Sequence, residues 1–145
     1  MQIVSTDLKD ALDRVAAHAK NKSDDLCAAD AAVGDGDLGI TVSEGFAACA
    51  GLDLPEDVGR AFYDMAKTFQ SVSSSSFATL VATGMMAAAK ELKGRHSFDV
   101  SEVADLLAVA RDAMLSRGKS ALGDKTVLDG LDAQARALDQ DASAP

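Results

Sequence analysis

DAAVGDGDLGIT, residues 30–41, is the stretch whose reading decides how the rest of the chain folds. Three carboxylates, Asp30, Asp35 and Asp37, alternate with Gly34, Gly36 and Gly39, and glycine lets a backbone turn sharply and approach a ligand closely. Carboxylate oxygens suit hard cations such as magnesium, which takes a few carboxylates together with substrate phosphates rather than an all-protein cage. Gly39-Ile40-Thr41 then leads into an apolar-periodic run. The loop is therefore expected to open a helix whose free N–H groups hold a phosphate beside the metal. An alanine-rich helical run precedes it, so the loop joins two helices. The bland alternative is a solvated acidic turn, since Asp and Gly are the usual turn residues.

Three familiar motifs fail here. Gly34-x-Gly36-x-x-Gly39 satisfies the dinucleotide fingerprint, but that motif needs a strand before it and bare aspartates would repel a pyrophosphate. A calcium loop starting at Asp35 would put Ile40 where glycine is required and Phe46 where a bidentate glutamate belongs. Gly118-Lys119-Ser120 matches the end of a P-loop, yet Ala113 stands at the required glycine and a helical run precedes it.

Outward from the loop, the chain reads as successive amphipathic helices with almost no strand signal. Leu8, Leu12 and Val15 recur at helical spacing behind Ser5 or Thr6 as N-cap, and Leu26 and Ala29 renew the apolar face before Asp30. A short helix carries Val42 and Phe46 toward Gly51. Leu54-Pro55-Glu56-Asp57 reads as a helix start, with proline first and acids in the first turn, followed by the core stripe Val58, Phe62, Met65 and Phe69. The serine-rich run at 71–76 is either a flexible linker or a hydroxyl-capped helix start; the helix after it bears Phe77, Leu80, Val81, Gly84, Met85, Ala88 and Leu92 on one face. Asp99 or Ser101 caps the next helix, which ends at Gly118, and a turn at 123–126 leads into a last helix with Val127, Leu128, Leu131, Ala135 and Leu138. His18 and His96 read as surface residues with no catalytic role.

At 145 residues the chain is one domain, assigned to 1–140 with a disordered tail at 141–145. Its 48% hydrophobic content is mostly aliphatic, with no tryptophan, as helices prefer. The net charge of −9, with no offsetting basic stripe, argues against nucleic-acid or anionic-membrane binding. No apolar run reaches the roughly 18 residues of a membrane span. Cys27 and Cys49 fit no ligand or disulfide pattern and read as free cytoplasmic thiols.

Three segments, Asp30-Ala-Ala-Val-Gly-Asp35-Gly-Asp37-Leu-Gly39, the serine-rich turn, and Gly118-Lys-Ser-Ala-Leu-Gly-Asp-Lys-Thr126, together resemble the nucleotide-binding L subunit of dihydroxyacetone kinase and the equivalent domain of its single-chain forms. The resemblance implies an all-α antiparallel helical barrel or bundle of the DhaL type. It implies that Asp30, Asp35 and Asp37 ligate two magnesium ions bridging the phosphates of ADP or ATP. It further implies that Leu38, Gly39, Ile40 and Thr41 hold phosphate, that Ser75 and Ser76 contact the nucleotide, and that Gly118 and Val127 line the adenine side. The implied partners are a K-type subunit carrying the ketose and, in some forms, a phosphotransferase protein as phosphate donor; a non-catalytic regulatory relative is the other class of function.

Ser73, Ser74 and Phe77 stand where the family's turn has glycines, so the backbone's approach to the nucleotide is expected to be hindered. The family chain also continues through closing helices with an arginine, which this sequence does not reach. An open barrel is therefore expected, with Leu8-Leu12-Val15 and Leu128-Leu131-Leu138 bared, weaker nucleotide affinity, and either self-association as a homo-oligomer or tight binding of a partner over the gap.

Overall fold

A computed structural model describes residues 1–142 of the chain. Periodic apolar residues build seven α-helices among them: α1 (Ser5–Asn21), α2 (Ser23–Ala31), α3 (Leu38–Ala50), α4 (Val58–Val72), α5 (Ser76–Glu91), α6 (Val103–Arg117) and α7 (Val127–Ala142). The fold is all-α, as the sequence implies. The tail assigned to 141–145 falls outside the described residues, except for the backbone of 141 and 142 at the end of α7.

Several boundaries differ from the sequence reading, each for a local reason. Val4, not Ser5 or Thr6, caps α1, because Asp7 reaches back and accepts the Val4 N–H at 2.9 Å. The first helical region is broken at Lys22 into α1 and α2, and Ala29 faces solvent rather than the core. Pro55 lies ahead of α4, whose cap is Asp57: its carboxylate accepts the Arg60 N–H at 2.9 Å, satisfying one of the free donors at the helix start. A two-residue antiparallel pair, β1 (Gln2–Ile3) with β2 (Phe98–Asp99), sets Ile3 opposite Phe98. Two residues are too few to show a strand's alternation in sequence.

Neighbouring helices pack as a row, α1 on α3, α3 on α4, α4 on α5, α5 on α6 and α6 on α7, with α2 laid on α3. Of the expected stripe, Val58, Met65 and Phe69 are buried and Phe62 is partly buried against the core, and Phe46 meets Phe69 edge-on with ring centroids 5.1 Å apart. Burying such a side chain contributes roughly 1.5–3 kcal/mol. Close approach is achieved with small residues: a Cβ at Gly45 would run into the Phe69 ring.

Alternating helix directions gather the connections into two sets. The turn at 73–75 meets the start of α3, with Thr41 touching Ser73, and Gly118 lies beside Leu80 in the first turns of α5. The loops 32–37, 73–75 and 118–126 thus share one rim. At the other end the Asp57 carboxylate accepts the Gly94 N–H and the Arg95 carbonyl accepts the Val58 N–H.

Inside the row runs an apolar cleft of about 1090 Å³, lined by Leu8 of α1, Val81 and Met85 of α5, Leu106 and Leu107 of α6, and Leu131 of α7. Of the two stripes expected to be bare, Leu12 and Leu128 are buried, Leu8 and Leu131 line the cleft, and Val15 and Leu138 face solvent.

Candidate functional site

Asp30 sits in the last turn of α2 and folds the loop around itself. Its Oδ2 accepts the N–H of Gly36 at 3.0 Å and of Leu38 at 3.3 Å, while its backbone carbonyl accepts those of Val33 and Gly34. Gly36 supplies the left-handed turn, φ 80°, that a side chain would resist. The result is convergence: Asp30, Asp35 and Asp37 each offer a carboxylate oxygen, and these lie within 4.8 Å of one another.

Three negative groups so close repel. A hydrogen bond that the protonated Asp37 carboxyl donates to Asp35 holds the pKa of Asp37 above the ordinary carboxylate value, with partial loss of hydration and the charges of Asp35 and Asp30 adding to it. None of the three has a Lys or Arg ion pair among the described residues. Hard oxygen donors without a protein counter-charge fit a divalent cation.

Helix α3 begins on top of this cluster. The Leu38 N–H is taken by Asp30 and the Thr41 N–H by the Asp37 carbonyl at 3.1 Å, which leaves the N–H groups of Gly39 and Ile40 as donors for an anion. Gly39 is buried because α3 starts hard against α2: a Cβ there would collide with the Ser23 carbonyl and lie 2.8 Å from Cys27 Sγ. Thr41 is buried, its hydroxyl donating to Ser73 Oγ at 3.4 Å, and Ser73 Oγ accepts the Ser75 N–H at 3.1 Å. This hydroxyl link between α3 and the serine-rich turn was missed in the sequence, where no local pattern joins positions 32 residues apart.

Ser75 is the N-cap of α5, its Oγ accepting the Ala78 N–H at 3.1 Å, so the run at 71–76 is a capped helix start rather than a linker. Ser76 is exposed at the first position of α5. Phe77 does not crowd this rim: its ring turns inward and packs on the cluster of Leu12, Met65 and Phe69. Gly118 ends α6 and Val127 opens α7, on either side of the third rim loop. His18 and His96 are exposed, and His96 belongs to the opposite end of the molecule, 3.9 Å from Glu56. Cys49 is buried, which pushes its thiol up to about 11, and both cysteines are free.

The DAK2 domain profile matches residues 32–144. The chain belongs to the DAK2 domain family. A relative of this DAK2 domain is the ADP-binding subunit DhaL of the PEP-dependent dihydroxyacetone kinase of Escherichia coli K12, 27% identical over 133 residues, which are 89% of this chain and 63% of that protein. The chain thus spans less than two thirds of the length of the curated relative it matches. No helix of this DAK2 domain, among the described residues, is long and apolar enough to cross a membrane.

Proposed function

We propose that the chain is an L-type subunit or domain of a dihydroxyacetone-type kinase, which holds a magnesium nucleotide and delivers its phosphate to a small ketose carried by a separate K-type subunit. The observation that carries this reading is the convergence of Asp30, Asp35 and Asp37 within 4.8 Å at the start of α3. Membership of the DAK2 family and likeness to a subunit named as ADP-binding support it.

In this reading the three aspartates hold two magnesium ions, which when bound supply charge neutralisation to the phosphates of ADP or ATP. The Gly39 and Ile40 N–H groups donate to phosphate oxygens, Leu38 and Thr41 keep that turn in shape, Ser75 and Ser76 approach from the second loop, and Gly118 and Val127 line the adenine side. In-line phosphoryl transfer asks for position and electrostatic stabilisation more than for covalent chemistry. A general base in this chain is not required in this reading, and His96 stands at the opposite end of the molecule, beside Glu56.

The partners in this reading are the K-type subunit, a phosphotransferase protein where the nucleotide stays bound and is rephosphorylated, and a second copy of the chain. Calorimetric titration of ADP with and without magnesium tests the site. Binding that requires magnesium supports it, and equal binding without the metal removes the aspartates from the reading. A chain that binds Mg-ADP but sustains no turnover with any K-type subunit is instead a regulatory relative.

A further inference from the structure

Among the described residues, Lys125 is the one non-glycine with a left-handed backbone, φ 61°, and Gly123, two residues before it, is left-handed as well, φ 99°. A residue with a Cβ persists there only where its surroundings over-determine it, and such positions cluster at ligand clamps. Here two carboxylates brace the loop: Asp124 Oδ2 accepts the Ala121 N–H at 2.8 Å ahead of the turn, and Asp129 ties the turn itself to α7. Asp129, in the first turn of α7, accepts the Gly123 N–H through Oδ1 at 2.6 Å and the Thr126 N–H through Oδ2 at 2.9 Å. Those backbone donors hold its pKa below the ordinary carboxylate value, with the Gly123 bond the larger cause.

The Thr126 bond, together with Thr126 Oγ1 accepting the Leu128 N–H at 3.3 Å, is what a helix start requires. The Gly123 bond is not. It reaches back six residues, satisfies none of the donors of α7, and serves only to fix the turn. That turn lies between Gly118 and Val127, and Val127 follows Thr126 directly.

We infer that Asp129 is a positioning residue for nucleotide: by holding the turn at 123–126 in its left-handed shape, it presents Gly118 and Val127 as a preformed wall on the base side. The inference rests on the nucleotide-binding reading above. A wall already in place avoids the ordering cost that a mobile loop would take from affinity.

The test compares the parent chain with Asp129→Asn and Lys125→Pro, using two probes in magnesium: ADP, and inorganic pyrophosphate, which has no base. Asp129→Asn keeps the size of the side chain but cannot accept both N–H groups. Lys125→Pro keeps the Asp129 side chain and its bonds to Gly123 and Thr126, forces φ to about −65°, and removes the Lys125 N–H, a weaker donor to the same carboxylate. Both are expected to weaken Mg-ADP about fivefold to tenfold, the scale of a lost capping carboxylate, and to leave Mg-pyrophosphate unchanged. A lower melting temperature of Asp129→Asn with parental Mg-ADP affinity would reduce Asp129 to a helix cap and overturn the inference, as would equal losses for the two probes. If Asp129→Asn does not fold, Lys125→Pro decides alone. A parent chain that binds neither probe overturns the nucleotide-binding reading, and this inference with it.

Discussion

Asp30 Oδ2 stands 3.0 Å from the backbone nitrogen of Gly36, six residues further along the chain. With the Leu38 N–H at 3.3 Å on the same oxygen, this one carboxylate closes the loop and starts α3. Asp35 and Asp37 have no such framework role. The three aspartates therefore differ in what their removal should do.

Asp35→Asn and Asp37→Asn should each weaken Mg-ADP binding at least tenfold, about 1.4 kcal/mol, while leaving the melting temperature unchanged or slightly higher, because a like charge within 4.8 Å has gone. Asp30→Ala should lose binding and also lower the melting temperature, since the Gly36 and Leu38 N–H groups lose their acceptor. Calorimetry and thermal unfolding on the three variants check this. Parental Mg-ADP affinity in either Asn variant would remove the metal assignment.

Gly39→Ala should destabilise the fold by about 1–3 kcal/mol, the usual cost of overpacking, because the new methyl meets the Ser23 backbone carbonyl, which cannot swing aside as a side chain would. Since that displacement is centred on the first turn of α3, nucleotide affinity should fall with it. Denaturant unfolding and ADP titration read the two effects separately. Gly130→Ala, where a Cβ meets nothing within 4 Å, is the control and should leave both unchanged or raise stability.

Acid should loosen the end opposite the site. Glu102 takes Arg95 in a two-pronged pair at 2.7 and 2.8 Å and also accepts the Asp99 N–H, and the pair with Arg95 draws its pKa from 4.5 down to about 2. A depressed folded-state pKa adds stability above the unfolded value that is lost as pH falls. This contribution should therefore be complete above pH 4.5 and disappear toward pH 2. Melting curves across that range should be flatter for Glu102→Gln than for the parent; an identical slope would mean that the pair does not titrate as described.

The purified chain with Mg-ATP should phosphorylate no dihydroxyacetone by itself. His96 lies at the far end, beside Glu56, and the acceptor in this reading is held by another subunit. Product formation in a coupled assay without any K-type protein would contradict the division of labour proposed above.

Much of the architecture was legible because it is written in local periods. The stripe Val58, Phe62, Met65 and Phe69 was identifiable as core from its spacing, and all of it is buried except Phe62, which is partly buried. The acidic loop was legible as a helix-to-helix junction from its glycines and from the apolar run after it. Less legible were features decided by a single hydrogen bond, such as Val4 rather than Ser5 as a cap, where Asp7 folds back. Phe77 was legible as part of the apolar face of its helix, but the cluster it packs on, with Leu12, Met65 and Phe69, draws on other helices and has no local signal.

The sequence by itself determined the all-helical class, the likeness to the dihydroxyacetone kinase L subunit and the candidate ligands, since helical periodicity and a dense Asp–Gly loop are properties of adjacent residues. Only the tertiary structure decided which N–H groups at the start of α3 are left for an anion, that Thr41 is tied to Ser73, and that Asp129 reaches back to Gly123. Those depend on where each donor's acceptor ends up. A backbone N–H has one bond to give, and whether a neighbour in space has already taken it cannot be read from the residue that carries it.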